Sequence, residues 1–163
     1  MKYEDEKYGF SLEVPDNWKR QRIFFQFLNT GRKIVYESPD RKADISVSVD
    51  RLREELNDRL TREVTMIRSL TNSSSLPRIT SLKKVEDFAL DGEENTVYLR
   101  YTTFDGRTAM NARMISSLHQ GREYAIQSGY ALNRYEETID GIIQSFKFGN
   151  PQETSISSRK KFT

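Results

Sequence analysis

The chain has 163 residues, enough for one domain that folds around its own core without staples. It has no Cys and a single His, His119, which excludes disulfides, Cys-ligated zinc, thiol nucleophiles, multi-His metal sites and most Ser-His-Asp arrangements. The formal charge of +2 lies wholly in residues 150–163, where Arg159, Lys160 and Lys161 face Glu153; the body is neutral and lacks the basic stripe of a nucleic-acid groove.

The elements follow in chain order. Tyr8, Phe10, Leu12 and Val14 alternate with polar or small residues, the period of a half-buried strand, and Pro15 ends it. Trp18 comes next and is expected to plug one end of a sheet. Residues 22 to 28 and 32 to 37 flank Asn29, Thr30 and Gly31, which predicts a hairpin. Ile45, Val47 and Val49 predict a further strand.

The period then changes. Leu52, Leu56, Leu60, Val64, Ile67 and Leu70 draw an apolar stripe down a helix over 51 to 71, with Asp50 as its N-cap. The i,i+4 pairs Glu55 to Arg59 and Asp58 to Arg62 give that helix a solvated charged face. Strands are predicted at 82 to 90, 95 to 104, 107 to 118 and 122 to 130, with Asp91-Gly92 and Asp105-Gly106 as turn dipeptides. A closing helix over 133 to 145 has Asn133 and Glu136 at capping-box spacing and a stripe of Tyr135, Ile139, Ile142, Ile143 and Phe146. Residues 1–149 thus read as a single α+β domain, and 150–163 as a disordered basic tail.

Hydrophobic residues make up 36% of the chain, so the core must lean on 9 Phe, 8 Tyr and one Trp, each burying more area than an aliphatic side chain. No apolar run approaches the roughly 20 residues of a membrane span. Met1 to Glu6 lacks a signal peptide's apolar stretch, which reads as a cytoplasmic chain if Met1 is the native start and an extracytoplasmic one, periplasmic or lipoprotein, if an export signal was trimmed.

Register arithmetic gives the candidate site. A two-residue Asp105-Gly106 turn pairs Tyr101 with Met110, Leu99 with Ala112 and Val97 with Met114 on one face, and Arg100 with Asn111 and Tyr98 with Arg113 on the other. At the next turn, a three-residue His119-Gln120-Gly121 loop pairs Met114 with Ile126 and keeps the core dry, whereas a two-residue Gln120-Gly121 loop sets Gln127 against Met114. The three-residue loop gathers Tyr98, Arg100, Asn111, Arg113 and Gln127 into one polar patch opposite the apolar face. Two Arg flanked by amides and a Tyr offer planar donors to a carboxylate or phosphate. The competing reading is a sheet face that is merely solvated or covered by a polar segment.

Other candidates are weaker. His119 sits in a turn where a surface imidazole needs no role, and Glu93-Glu94 and Glu136-Glu137 occupy turn or cap positions without the burial that acid/base work requires. Met110 and Met114 read as core, and no phosphate-cradling Gly motif is present. No catalytic or metal residues and no cofactor are expected.

In order and spacing, Tyr8-Gly9-Phe10-Ser11-Leu12 with Pro15 and Trp18, then Gly92 before the Tyr98/Tyr101 strand, Gly106, Tyr124 and Ile126, and the closing Tyr135, Ile139, Ile142-Ile143-Gln144-Ser145-Phe146 resemble the PsbP-like superfamily over residues 7 to 148. The resemblance implies an antiparallel sheet of seven or eight strands with helices on both faces. Its members include extrinsic photosystem II subunits, a nuclear Ran-binding factor, bacterial exported proteins and lipoproteins of unknown role, and chaperones for type VI secretion effectors. They share a fold and partner binding, with no common site motif to carry over. The expectation is a non-enzymatic protein-binding or accessory module of bacterial type. The alternatives are a small-anion or ligand carrier using the Arg100/Arg113 face, or a chaperone or adaptor for a secreted effector.

Overall fold

A computed structural model describes residues 1–22, 32–72, 77–131 and 133–149. The strands are β1 (Lys2–Asp5), β2 (Phe10–Glu13), β3 (Lys19–Arg20), β4 (Arg32–Glu37), β5 (Ala43–Arg51), β6 (Arg78–Lys84), β7 (Thr96–Phe104), β8 (Ala109–His119), β9 (Arg122–Tyr130) and β10 (Lys147–Phe148). The helices are α1 (Arg59–Thr71) and α2 (Glu136–Ser145). Seven strands form one antiparallel sheet in the order β3-β4-β5-β9-β8-β7-β6, and β1-β2-β10 form a second, smaller one. Residues 23–28 of the strand predicted over 22 to 28, and the basic tail, lie outside the described residues.

The large sheet has two unlike faces. On one, Ile34, Tyr36, Ile45, Val47, Val49, Ile115, Tyr124 and Ile126 are buried under α2 and the small sheet, which contribute Phe10, Leu12, Ile139, Ile142, Ile143 and Phe146. Ring packing fills this core: Phe10 stacks on Phe146 at 5.8 Å, and Trp18, 4% exposed, meets Tyr135 edge-on at 6.1 Å. Aromatic area thus compensates for the modest apolar fraction. On the other face α1 covers Val97 and Leu99, and Met110 and Met114 are only half-buried.

Both hairpin registers differ from expectation. The β7–β8 connection is a four-residue loop closed by Phe104 opposite Ala109, because the Asp105 carboxylate accepts from the N–H groups of Arg107 (2.8 Å) and Thr108 (2.7 Å) and locks the wider turn. This slip of two residues sets Arg100 opposite Arg113 and preserves every face. The β8–β9 connection is the two-residue Gln120-Gly121 loop, with both residues left-handed at φ 51 and φ 76, the geometry of a type I′ hairpin. That slip of one residue moves Tyr124 and Ile126 to the face of Arg113 and puts Gln127 opposite Met114. Dryness does not forbid it, since Gln127 lands on an exposed stretch of sheet.

The helix starts also differ. β5 pairs with β9 as far as Arg51 and Arg122, so Asp50 belongs to a ladder, and the cap of α1 is Asp58, whose carboxylate accepts from the Thr61 N–H at 3.0 Å. The first turns of α1 dock by polar side chains: Arg62 and Glu63 are buried while Leu60 (64%) and Val64 (39%) are exposed, and Met66, Ile67 and Leu70 farther along are half-buried. The Arg62 guanidinium explains this polar contact, donating to Ser116 Oγ at 2.8 Å and to the Asn95 carbonyl at 2.9 Å, acceptors that apolar residues could not satisfy. Burial pulls the Arg62 pKa down, and Glu123 partly restores it. α2 begins at Glu136 after a 3-10 turn over Asn133–Tyr135, without the predicted capping-box bond.

Candidate functional site

Register places three cations on one rung. Lys83 of β6, Arg100 of β7 and Arg113 of β8 are directly opposite one another in sequence across the sheet. Like charges so placed repel, and α2 supplies the compensation from above. Glu136 and Asp140, one helical turn apart, bond Arg100 and Arg113 respectively, and Glu136 also lies 3.8 Å from Arg113.

The two arginines differ in what remains available. Arg113 is 1% exposed; its Nη1 also donates to the Tyr98 hydroxyl at 3.0 Å and its Nη2 to the Tyr130 hydroxyl at 3.2 Å, with the guanidinium 5.5 Å from the Tyr130 ring. Burial works against its charge, but the bonds to Asp140 and Tyr130 more than offset this and hold its pKa above the usual value. Burial raises the Tyr98 hydroxyl, with Arg113 opposing. Arg113 is therefore a structural cation that ties α2 to β8. The Arg100 side chain is 40% exposed, and its charge is likewise held against burial, chiefly by Glu136. Lys83 has no carboxylate partner among the described residues.

Arg100 and Lys83 line a groove of about 590 Å³ on this face, together with Ser81, Thr102, Asn111 and Tyr130. Its hydroxyls bond one another, Ser81 to Thr102 at 2.7 Å, and the carboxylate of Glu86, which also lines it, lies 3.7 Å from Lys84. The groove falls within the size range of ligand and peptide sites.

Of the predicted site residues, Tyr98, Arg100, Asn111 and Arg113 share a face as expected, and Gln127 is on the other. The face itself is reassigned. It is the core-bearing side of the sheet at its polar end, because the one-residue slip at Gln120-Gly121 brings Ile126 under α2. Sequence reasoning missed Lys83, Tyr130, Glu136 and Asp140. Glu136 and Asp140 did leave a signal, two acids at i,i+4 beside the Ile139/Ile143 stripe. Lys83 left none, because a β-bulge between Ile79 and Ser81 and the long 85–95 connection hide the β6 register.

His119 is half-buried rather than a surface turn residue, stacked on Phe148 at 4.0 Å with Nδ1 3.2 Å from Glu93. Glu93 and Glu136 are correspondingly half-buried, each held by a cation or ring nitrogen. Among the described residues no group of three or more His, Cys, Asp or Glu could hold a metal ion, and no helix is long and apolar enough to cross a membrane.

No family model matches the chain, and no curated protein matches it in sequence. Solved structures do match in shape. The chain is similar to the solution structure of cyanobacterial PsbP (CyanoP) from Synechocystis sp. PCC 6803, with 15% identity, 91% of each chain covered and a TM-score of 0.65. It is also similar to the Ran-binding protein Mog1p of Saccharomyces cerevisiae, with 10% identity, 91% of this chain and 94% of that one covered and a TM-score of 0.58. A protein of unknown function from Pseudomonas aeruginosa, described as a putative regulator, matches with 13% identity, 86% and 92% coverage and a TM-score of 0.56. At these identities the likeness is one of fold, and it agrees with the sequence resemblance: an antiparallel sheet with helices on both faces. The chain has the PsbP-like fold.

Proposed function

We propose that this chain is a non-catalytic module that binds another protein, and that its recognition surface is the groove lined by Lys83, Arg100 and Asn111, which takes an acidic segment of the partner. The observation that carries the reading is the rung Lys83–Arg100–Arg113, where two carboxylates of α2 face three cations. The outermost cation is unmatched and the middle one half-exposed, so positive charge is left facing the groove, and carboxylates are the groups that planar guanidinium donors and an adjacent ammonium hold best. The fold neighbour from yeast, a Ran-binding protein, supports a protein as partner.

Site-specific photo-cross-linking tests this. A photoreactive residue replacing Ser81, in the groove, is expected to capture a discrete protein in the source cell, and the yield should drop when Lys83 and Arg100 are both replaced by Gln. The same probe at Leu60 on α1 serves as control. Capture from position 60 and not from 81 moves the interface to α1, and a high-affinity response to acetate or phosphate alone, without protein capture, supports a small-anion carrier instead.

A further inference from the structure

Resting on that reading, we infer that the acidic segment docks as an added antiparallel strand on the outer edge of β6, extending the seven-stranded sheet. β6 is the last strand of the sheet, and among the described residues nothing pairs with its outer side.

The hydrogen-bond phase of that edge follows from a single bond. The Val85 N–H donates to the Tyr98 carbonyl at 2.9 Å, and bonding positions in an antiparallel ladder recur every second residue. Ser81 and Lys83 therefore turn their backbone groups toward β7, while Leu82 and Lys84 present theirs to the outside. Side chains alternate the other way: Ser81 and Lys83 face the groove with Arg100, and Leu82 and Lys84 face the α1 side, where Lys84 lies 3.3 Å from Glu63.

This phase dictates the chemistry of the added strand. Its residue opposite Lys83 continues the cation rung on the groove face, within the roughly 5 Å at which cross-strand pairs interact, and must be acidic to be favourable. Its neighbours lie opposite Leu82 and Lys84, on the side where Lys84 already has Glu63, so small apolar residues suit them. The occupant is thus an extended segment alternating Glu with Val. Strand addition supplies main-chain bonds for affinity and alternate side chains for specificity. Edge lysines can also serve only to repel stray strands, and the two roles give opposite results below.

The probe is a fluorescein-labelled Glu-Val-Glu-Val-Glu-Val peptide, followed by fluorescence anisotropy with the full chain. Opposite Leu82 and Lys84 stand the Val residues, so the Val amides bond to β6 and the Glu amides point away. N-methylation of the Val amides is expected to weaken binding about tenfold or more, from two or more lost hydrogen bonds and the methyl clash, and N-methylation of the Glu amides by less than about threefold. Any other pattern, including equal loss or no loss in both, overturns antiparallel addition. If binding ignores methylation but is lost when Lys83 and Arg100 are both changed to Gln, the groove reading stands and strand addition falls. If the unmethylated peptide does not bind at millimolar concentration, both fall.

Discussion

Asp140→Ala removes the carboxylate that Arg113 depends on. Stranding a fully buried cation costs about 3 to 5 kcal/mol, and two features of this site reduce that. Glu136 remains 3.8 Å away and the Tyr98 and Tyr130 hydroxyls still accept from the guanidinium, while the Asp140 side chain is 45% exposed and so partly screened by water. The expected loss is about 2 kcal/mol. Arg113→Met keeps the packing of the stem and removes the charge, and in that background Asp140→Ala should cost less than about 0.5 kcal/mol. Urea denaturation followed by fluorescence of Trp18, the only Trp and 4% exposed, completes the cycle. Equal cost of Asp140→Ala in both backgrounds would mean the two residues are not coupled and that α2 is held over β8 by its apolar stripe alone.

Three further outcomes follow. Ile143 is 3% exposed at the heart of the α2 contact, so Ile143→Ala should cost about 2 to 5 kcal/mol in the same denaturation assay, and near-neutrality would mean the helix is rotated. Gln120 holds φ 51 in the tight β8–β9 turn, and Gln120→Asn, better suited to the left-handed region, should stabilise by about 0.5 to 1 kcal/mol, read as a rise in Tm; a fall would argue against the two-residue loop. The Asp58 carboxyl is held below the usual carboxylate range, first by the Thr61 N–H and then by the Thr61 hydroxyl. Its stabilising contribution is therefore present above the unfolded carboxylate pKa and is lost as pH falls through the lower folded value. A carboxyl NMR titration should find its midpoint below about 3.9, and a midpoint at or above that value contradicts the cap.

What the sequence made legible was whatever rests on local periodicity. Val47 and Val49, Tyr124 and Ile126, and the Ile139–Phe146 stripe all point inward as their alternation predicts. What it hid depends on partners distant in the chain. Asp50 has a cap residue's chemistry, yet the β5–β9 ladder claims it. The apolar stripe of α1 is real, but Arg62 finds acceptors at Ser116 and Asn95, and Leu60 and Val64 are left exposed while Ile67 and Leu70 stay half-buried. Arg100 and Arg113 were placed together correctly because the slip at Asp105-Gly106 was two residues and left the faces intact. The one-residue slip at Gln120-Gly121 removed Gln127 and changed which face the patch belongs to. The small sheet was missed because Lys2–Asp5 and Lys147–Phe148 are too short and polar to show a period.

In the proposed function, the groove at Lys83 and Arg100 reads a partner's acidic segment. Amide and side-chain NMR of the full chain, titrated with the unlabelled Glu-Val-Glu-Val-Glu-Val peptide, tests it most directly. Saturable shifts are expected, centred on Ser81 to Lys84, Arg100, Asn111 and Tyr130, and abolished when Lys83 and Arg100 are both Gln. Shifts centred on Leu60 and Val64 of α1, or no shifts at all, would contradict it.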